Sequence, residues 1–430
     1  MRPVRIGLIG LGTVGSGVVE IFARHKADFL RRTGAQIELV RFADRDPACA
    51  ERLGLPADKF TTDAFAVVAD PEVDVVVELI GGTGVAKDLV LAALAAGKSV
   101  VTANKALMAK HGQEVLDLAA QNGVDVMFEA AVGGGIPIIS PLKHCLVSNE
   151  ISTVVGIVNG TTNYMLTRMA DDGLDYASAL AEAQERGYAE ADPTADVDGH
   201  DSAAKIAILG SIAFNTRITI DQVATDGIRS ILPSDIAYAR QMGYAIKLLA
   251  MARRVDGAIE ARVHPAMIPA SHPLASVSGV YNAIFVVGDS VGEVMFFGQG
   301  AGSLPAASAV VGDVIEVARH IQGGCLGLVG CTCNESLPMK NAAELTSSYY
   351  VRLRVADRPG VLAAVAGIFG ANDVSIGSVI QKTADETGAE IVYVTHRTSE
   401  GAFHAALDEI TMLECVTKLE SVLRVEELST

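Results

Sequence analysis

The sequence predicts an α/β chain: a doubly wound parallel sheet first, then an α+β domain, and a small βαββαβ unit at the end. Three observations carry the prediction. A short apolar strand runs directly into Gly10-Leu-Gly12-Thr-Val-Gly15 and on into an amphipathic helix. Strand and helix patterns then alternate as far as Phe128. Finally, residues 347–430 follow the order strand, helix, strand, strand, helix, strand.

Composition narrows the class. At 430 residues and 50% hydrophobic content, two or three domains with complete cores are expected. A formal charge of -17 repels phosphate backbones and anionic headgroups, so neither nucleic acid nor membrane is expected as a partner. Small molecules and further copies of the chain are the expected partners. The six cysteines form no disulfide framework, and Cys331 and Cys333 are too close for an ordinary two-cysteine zinc hook, so they read as free thiols of a reducing cytoplasm. The opening MRPVRIGLIG turns glycine-rich too soon for a signal peptide, and no run approaches eighteen apolar residues.

Taken in order, 4–9 is the first strand. Gly10 permits the tight turn, Gly12 lets the backbone approach a pyrophosphate, and Gly15 allows close helix–sheet packing. The helix opening at Thr13 and Val14 offers free N–H groups to an anion. This context makes the segment a dinucleotide site, of the Rossmann-like kind. The strand over 37–43 ends at Asp44-Arg45, where Asp44 suits the ribose 2′-hydroxyl of NAD and Arg45 the 2′-phosphate of NADP, so both cofactors stay open. Strands at 73–80, 98–102 and 124–128 alternate with helices at 85–96 and 106–120. Ligands of such sheets bind beyond the carboxyl ends of strands, which places Gly81, Thr83, Asn104 and Lys105 at the same crevice. Lys105 at a helix start opposes the dipole and invites a special reason. Glu129 and its glycine-rich turn to Ile136 read first as a strand-to-helix turn, with oxygen ligands for a hard cation as the second reading.

From Ile151 the pattern changes and a second domain opens, with strands at 154–158, 259–263 and 283–287. Its densest segment is GYAEADPTADVDGHDSAAK over 187–205, which holds Glu190, Asp192, Asp196, Asp198, Asp201 and Lys205. A helix starts near Asp201 and enters the core, so Asp201 and Lys205 share one face. Partial desolvation there would lower the Lys205 pKa and suit it to proton transfer. The plainer alternative is a surface ion pair of about 0.2–0.5 kcal/mol. GQGAGSLP, with Gly302 and Ser303 before a helix through Val317, suggests a return to the nucleotide domain. The expected division is 1–145 for the dinucleotide domain with 300–322 returning to it, 146–299 for substrate binding and dimerisation, 323–346 for a linker, and 347–430 for the terminal unit.

Through GLGTVG, ELIGG (78–82), TANK (102–105), EAAVGGGIP (129–137), GYAEADPTADVDGHDSAAK and GQGAGSLP, the chain resembles homoserine dehydrogenases with an appended ACT domain, over essentially its full length. The resemblance implies NADP- or NAD-dependent interconversion of L-homoserine and L-aspartate 4-semialdehyde in threonine, methionine and isoleucine biosynthesis. It implies Lys205 and Lys105 as the catalytic pair, with Lys205 the favoured proton donor to the aldehyde oxygen. Thr161, Glu190, Asp196 and Asp201 would hold the amino-acid substrate. A monovalent cation, sodium or potassium, would take the Glu129 carboxylate and the carbonyls of Val132, Gly134 and Ile136. DRPGVLAAVAGIFGANDVSIGSV is similar to the first half of an ACT domain, with Asp357, Gly360, Val361 and Asn372 as effector contacts and threonine as effector. A homodimer or homotetramer is implied. The chemistry fits independently: aldehyde reduction needs a hydride donor, a group that polarises oxygen, and acids for an ammonium. Two rivals make different demands. An ACT-bearing hydroxy-acid dehydrogenase needs a histidine with an acidic partner, for which His200 is the nearest candidate. An amino-acid sensor that has lost catalysis would have lost Lys105, Glu190, Asp201 or Lys205, and all four are present.

Overall fold

The computed structural model describes residues 2–328, 330–381 and 388–428. Its first sheet is wholly parallel. Strands β1 (Val4–Ile9), β2 (Ile37–Ala43), β3 (Phe60–Thr61), β4 (Val75–Glu78), β5 (Ser99–Thr102) and β6 (Val126–Met127) lie in the order β3-β2-β1-β4-β5-β6. Every residue of β4 and β5 is buried, as a parallel strand covered on both faces requires. The order reverses between β1 and β4, and that switch point opens a crevice at the strands' carboxyl ends. The helix Ser303–Gly323 lies against the helix Thr13–Thr33. A Cβ on Gly17 would sit 2.7 Å from the Ser303 carbonyl oxygen, and Ser303 Oγ donates to the Thr13 carbonyl at 2.6 Å. Val18, Phe22, Val310 and Val314 share one buried cluster across this contact.

The second sheet is mixed and longer. It comprises β7 (Ile151–Ile157), β8 (Ala224–Thr225), β9 (Tyr244–Val255), β10 (Ala258–Pro269), β11 (Tyr281–Gly288), β12 (Gly292–Gln299), β13 (Thr346–Val355), β14 (Ile376–Gln381), β15 (Ala389–Thr395), β16 (Thr398–Ser399) and β17 (Val416–Val425). The order is β12-β11-β7-β9-β10-β17-β13-β15-β14, with β8 paired to β10 and β16 to β13. The terminal unit is the expected βαββαβ, with helices Val361–Ala371 and Glu400–Thr411 over a core of Val351, Leu353, Val365, Phe369, Tyr393 and Phe403. It shares the substrate domain's sheet, because β17 pairs in parallel with β10 at Ala266–Arg424 and Met267–Val425.

Ion pairs reinforce that joint. Arg352 donates to Asp235 at 2.9 Å and to Glu390 at 2.7 Å, while the Tyr350 hydroxyl donates to Asp235 and the Tyr238 hydroxyl to Glu390. Asp235 is fully buried, and burying such a charge is tolerable only with partners of this kind. Among the described residues, no helix is long and apolar enough to cross a membrane.

Candidate active site

The glycine turn after β1 divides its labour among three residues. Gly10 has φ 98°, and a Cβ there would meet the Leu79 backbone at 2.8 Å. A Cβ on Gly15 would fall 1.9 Å from the Gly10 carbonyl oxygen, so helix and turn can approach only without one. The space beside Gly12 is open to 4 Å, and Thr13 and Val14 present the helix start to the crevice. The Asp44 carboxylate accepts from the Leu11 N–H at 2.7 Å and the Asp46 N–H at 3.0 Å, while Arg45 is exposed. Asp44 therefore braces the glycine turn from the end of β2.

The two neighbouring turns are held by one carboxylate. Glu78, at the end of β4, is fully buried and accepts from the N–H groups of Ile80 and Gly81 at 2.8 and 3.0 Å, from Thr102 Oγ1 at 2.7 Å and from Asn104 Nδ2 at 3.4 Å. Asn104 Nδ2 also donates to the Gly82 carbonyl, and its Oδ1 caps the helix Lys105–Asn122 by accepting from the Leu107 N–H. Gly81 and Gly82 both have positive φ, and Thr83 beside them is half-buried. Lys105 is thereby set at the first position of a capped helix.

The charged centre forms where that helix meets the helix His200–Ala213. Asp201 receives Lys105 Nζ on Oδ1 at 2.5 Å and Lys205 Nζ on Oδ2 at 2.6 Å. Lys205 also donates to the Val158 carbonyl at 2.7 Å. Asn159, at the end of β7, donates through Nδ2 to Asp196 at 2.7 Å and to Asp201 at 2.9 Å. Its Oδ1 accepts from the Thr162 N–H, which locks the amide's orientation. Burial of Asp201 opposes ionisation, but Lys205 and Lys105 outweigh it and hold the carboxyl well below the usual carboxylate range. Thr161 Oγ1 donates to the Tyr188 carbonyl at 2.6 Å.

One cavity of about 800 Å³ joins these groups. Its walls include Thr13, Val14, Gly81, Asn104, Lys105, Gly134, Thr161, Asp196, Asp201, Lys205 and Gly302. Glu190 is exposed and lies outside this lining; its backbone carbonyl accepts from Gln184. Asn159 and Asn282 join the lining, and neither stood out in the sequence. Asn282 is 1% exposed, and its Oδ1 has no hydrogen-bond partner. Asn159 had a local signal, an amide residue between a strand and a helix. Asn282, inside β11, had none.

Both Glu129 oxygens are engaged by backbone: Oε1 accepts from the N–H groups of Ile138 and Ile139 at 2.5 and 2.7 Å, and Oε2 from that of Ser140 at 2.7 Å. Val132, Gly134 and Ile136 are buried, and among the described residues no hydrogen bond ends on their carbonyls. Buried carbonyls of this kind call for a partner, and a hard cation with oxygen ligands suits them. No group of three His, Cys, Asp or Glu side chains that could hold a metal occurs among the described residues.

In the terminal unit Asp357 and Gly360 are exposed at the turn before the helix Val361–Ala371, and Val361 is buried in its core. Asn372 lies at the far end of that helix, about 16 Å away by helical rise, donating to Ile368 and Glu409. Within one chain the four do not meet.

Three comparisons bear on this arrangement. Residues 10–129 match the family model of the homoserine dehydrogenase NAD binding domain, 137–315 that of homoserine dehydrogenase, and 349–414 that of the ACT domain. A homoserine dehydrogenase of Synechocystis is 47% identical, covering 98% of this chain and 99% of its own. The crystal structure of a homoserine dehydrogenase from Thiobacillus denitrificans superposes with a TM-score of 0.94 at 43% identity, over 100% of this chain and 99% of that one. A hyperthermophilic archaeal homoserine dehydrogenase mutant in complex with NADPH is 28% identical with a TM-score of 0.63, over 74% of this chain and 98% of that one. A parallel nucleotide-binding sheet, a lysine–aspartate centre at its crevice and an ACT domain thus occur together with full-length similarity, and the chain belongs to the homoserine dehydrogenase family, as an oxidoreductase with a nicotinamide cofactor.

Proposed function

We propose that the chain interconverts L-homoserine and L-aspartate 4-semialdehyde, with Lys205 as proton donor to the aldehyde oxygen and Lys105 as its electrostatic partner. The observation that carries this reading is the convergence of both lysines on Asp201 in the cavity that the glycine turns also line. The nicotinamide supplies the hydride when bound. Lys205 spends two of its three N–H bonds on Val158 and Asp201 and keeps one for a substrate oxygen. Lys105 stabilises the charge that develops on that oxygen. Asp196, with one oxygen on Asn159, and the unpartnered Asn282 Oδ1 are suited to the substrate ammonium. Thr161 borders them, and Glu190 stands exposed outside the lining. The cofactor contacts are Gly10, Gly12, Thr13, Val14, Gly15, Asp44, Arg45, Gly81, Thr83, Asn104, Lys105 and Gly302, for NADP or NAD.

The carbonyls of Val132, Gly134 and Ile136, with Glu129, would hold a sodium or potassium ion that stiffens the turn. That turn bears on the cavity, since a Cβ on Gly134 would lie 2.3 Å from the Gly300 carbonyl oxygen. The ACT domain answers to threonine through Asp357, Gly360 and Val361, with Asn372 brought in from a second copy of the chain. Exposed Val291, Met295 and Phe297 on the edge strand β12 and its flank support a homodimer, or a tetramer of such dimers. Six free thiols fit a cytoplasmic enzyme of threonine, methionine and isoleucine synthesis. The chain divides at 1–145 with 300–322, 146–299, 323–346 and 347–430. Incubation with L-aspartate 4-semialdehyde and NADPH or NADH tests the reading: L-homoserine is the expected product by chromatography, and its absence with both cofactors would defeat it.

A further inference from the structure

The chain that follows the helix Ser303–Gly323 is a strap laid across the substrate domain. The Glu335 N–H donates to the Asn215 carbonyl at 2.8 Å, Thr216 Oγ1 to the Glu335 carbonyl at 3.0 Å, and the Leu337 N–H to Thr216 Oγ1 at 3.1 Å. Just ahead of these fastenings stand Cys331 and Cys333, both free and both half-buried. The Cys333 thiol is within hydrogen-bonding reach of two acceptors, the Cys331 sulfur and the Ser211 carbonyl, the latter at 3.4 Å. Ser211 belongs to the last turn of the helix His200–Ala213, whose final carbonyls have no partner within the helix. The Phe214 N–H serves Gly210 and the Asn215 N–H serves Ile212, which leaves Ser211 to Cys333. Two cations face the thiols: Arg217, and Lys143, whose Nζ sits 5.9 Å from the Phe128 ring. The Cys333 S–H, helped by Lys143 and Arg217, holds the Cys331 thiol below its ordinary range against its burial, while the bond to Cys331 and burial push Cys333 up. One thiol is thus primed as a nucleophile and the other stays protonated beside it. Even fully extended, two chain steps span only about 6.6–7.2 Å, so a slight bend brings the Cα atoms into the window of about 4.4–6.8 Å that a disulfide needs. Among the described residues, no third His, Cys, Asp or Glu completes a metal set here.

We propose that Cys331 and Cys333 form a redox-active dithiol, which a small-molecule disulfide closes into an intrachain disulfide at the expense of the hydrogen bond to Ser211. The Cys331 thiolate attacks one sulfur of the incoming disulfide, whose S–S bond breaks and whose other half leaves as a thiolate. Cys333 passes its proton to that thiolate and attacks the Cys331 sulfur, expelling the second half, which takes up the proton that Cys331 gave to water. Two protein thiols lose two electrons and one disulfide gains them. The product has no S–H, so the Ser211 carbonyl loses its donor and the end of the helix loosens. That helix carries Asp201 and Lys205; any effect on turnover rests on the roles proposed above for them, whereas the thiol chemistry does not.

The full chain, equilibrated with glutathione at graded ratios of oxidised to reduced form, acid-quenched, alkylated and mapped by peptide mass spectrometry, reads the pair directly. A disulfide between Cys331 and Cys333 that dithiothreitol reverses is the expected result. Cys333→Ser should trap glutathione on Cys331, and Cys331→Ser should leave Cys333 about tenfold slower to react than Cys331 is in Cys333→Ser. In the closed form, amide exchange at the helix end, 210–215, should rise by about threefold or more, and in neither serine variant under the same treatment. Free thiols at every ratio, glutathione on Cys145 or Cys325 instead, or a disulfide from Cys331 to Cys145 would overturn the dithiol. Unchanged exchange in the closed form would overturn its link to the helix.

Discussion

Replacing Asp201 by asparagine removes the charge on which both lysines converge and keeps the side chain's shape. The two pairs differ in worth. Asp201 and Lys205 have side chains 5% and 11% exposed, and breaking a buried pair of this kind costs about 3–5 kcal/mol. Lys105 is 45% exposed, so its share is nearer the ~0.2–1 kcal/mol typical of a solvated pair. The amide oxygen still accepts from Lys205 or Asn159, which puts the total near the low end, about 3 kcal/mol. Amide exchange in the helix His200–Ala213 reads this locally, as a loss of protection of about a hundredfold. Turnover should fall by about a hundredfold or more, because one neutral amide oxygen cannot hold both lysines for the substrate oxygen. The acid response changes too. The carboxyl ionises well below its usual range in the fold, so its contribution is complete above about pH 4 and fades as pH falls below that; the asparagine variant lacks this component. Unaltered protection together with unaltered turnover would refute the reasoning, since the pair would then be neither buried nor catalytic.

Four further outcomes are expected. Lys205→Ala loses turnover but keeps cofactor affinity by fluorescence titration; unchanged turnover removes Lys205 from its role. Asp44→Ala weakens both cofactors through the lost brace on Leu11 and shifts the ratio towards NADPH, whereas an unmoved ratio means the ribose is read elsewhere. Glu78→Ala strips four donors of their acceptor and should raise the cofactor KM along with a stability loss of about 3 kcal/mol, read by urea unfolding; wild-type stability would show that the two turns hold without it. Burial keeps His264 neutral and lowers its pKa to about 4, so the unfolded chain takes up the proton first as pH falls below about 6.5. Stability should decline between those values, and His264→Gln should flatten the decline in a pH series of unfolding midpoints.

The nucleotide half was legible because its signals are local. Gly10, Gly12 and Gly15 each answer to a backbone requirement within a few residues, and β4 and β5 announce themselves as apolar runs. The strand β9 carries no strand signal of its own: YAIKLLAMARRV is rich in alanine, leucine, methionine, lysine and arginine, which favour helices, and pairing along all of β10 on one edge and with β7 on the other makes it a strand. The Asp256-Gly257 turn, both residues at positive φ, was the overlooked hairpin signal. The merging of ACT and substrate sheets rests on two residue pairs between β17 and β10, and no pattern within either strand encodes a partner so distant in the chain. Around the cavity, the charged side chains stood out by density, while Asn159 and Glu78 act through partners from other segments and Asn282 sits inside β11 without a local signal. Glu190 illustrates the converse: it belongs to the densest acidic stretch and yet stands exposed beside the cavity.

The most direct test of the central claim is the initial velocity of L-homoserine oxidation with NAD+ and NADP+ separately, each with and without threonine. The account expects L-homoserine-dependent reduction of at least one cofactor, abolished in Lys205→Ala, with threonine lowering the rate of the native chain. No turnover with either cofactor would contradict the role given to the lysine–aspartate centre, and turnover untouched by threonine would contradict the role given to the ACT domain.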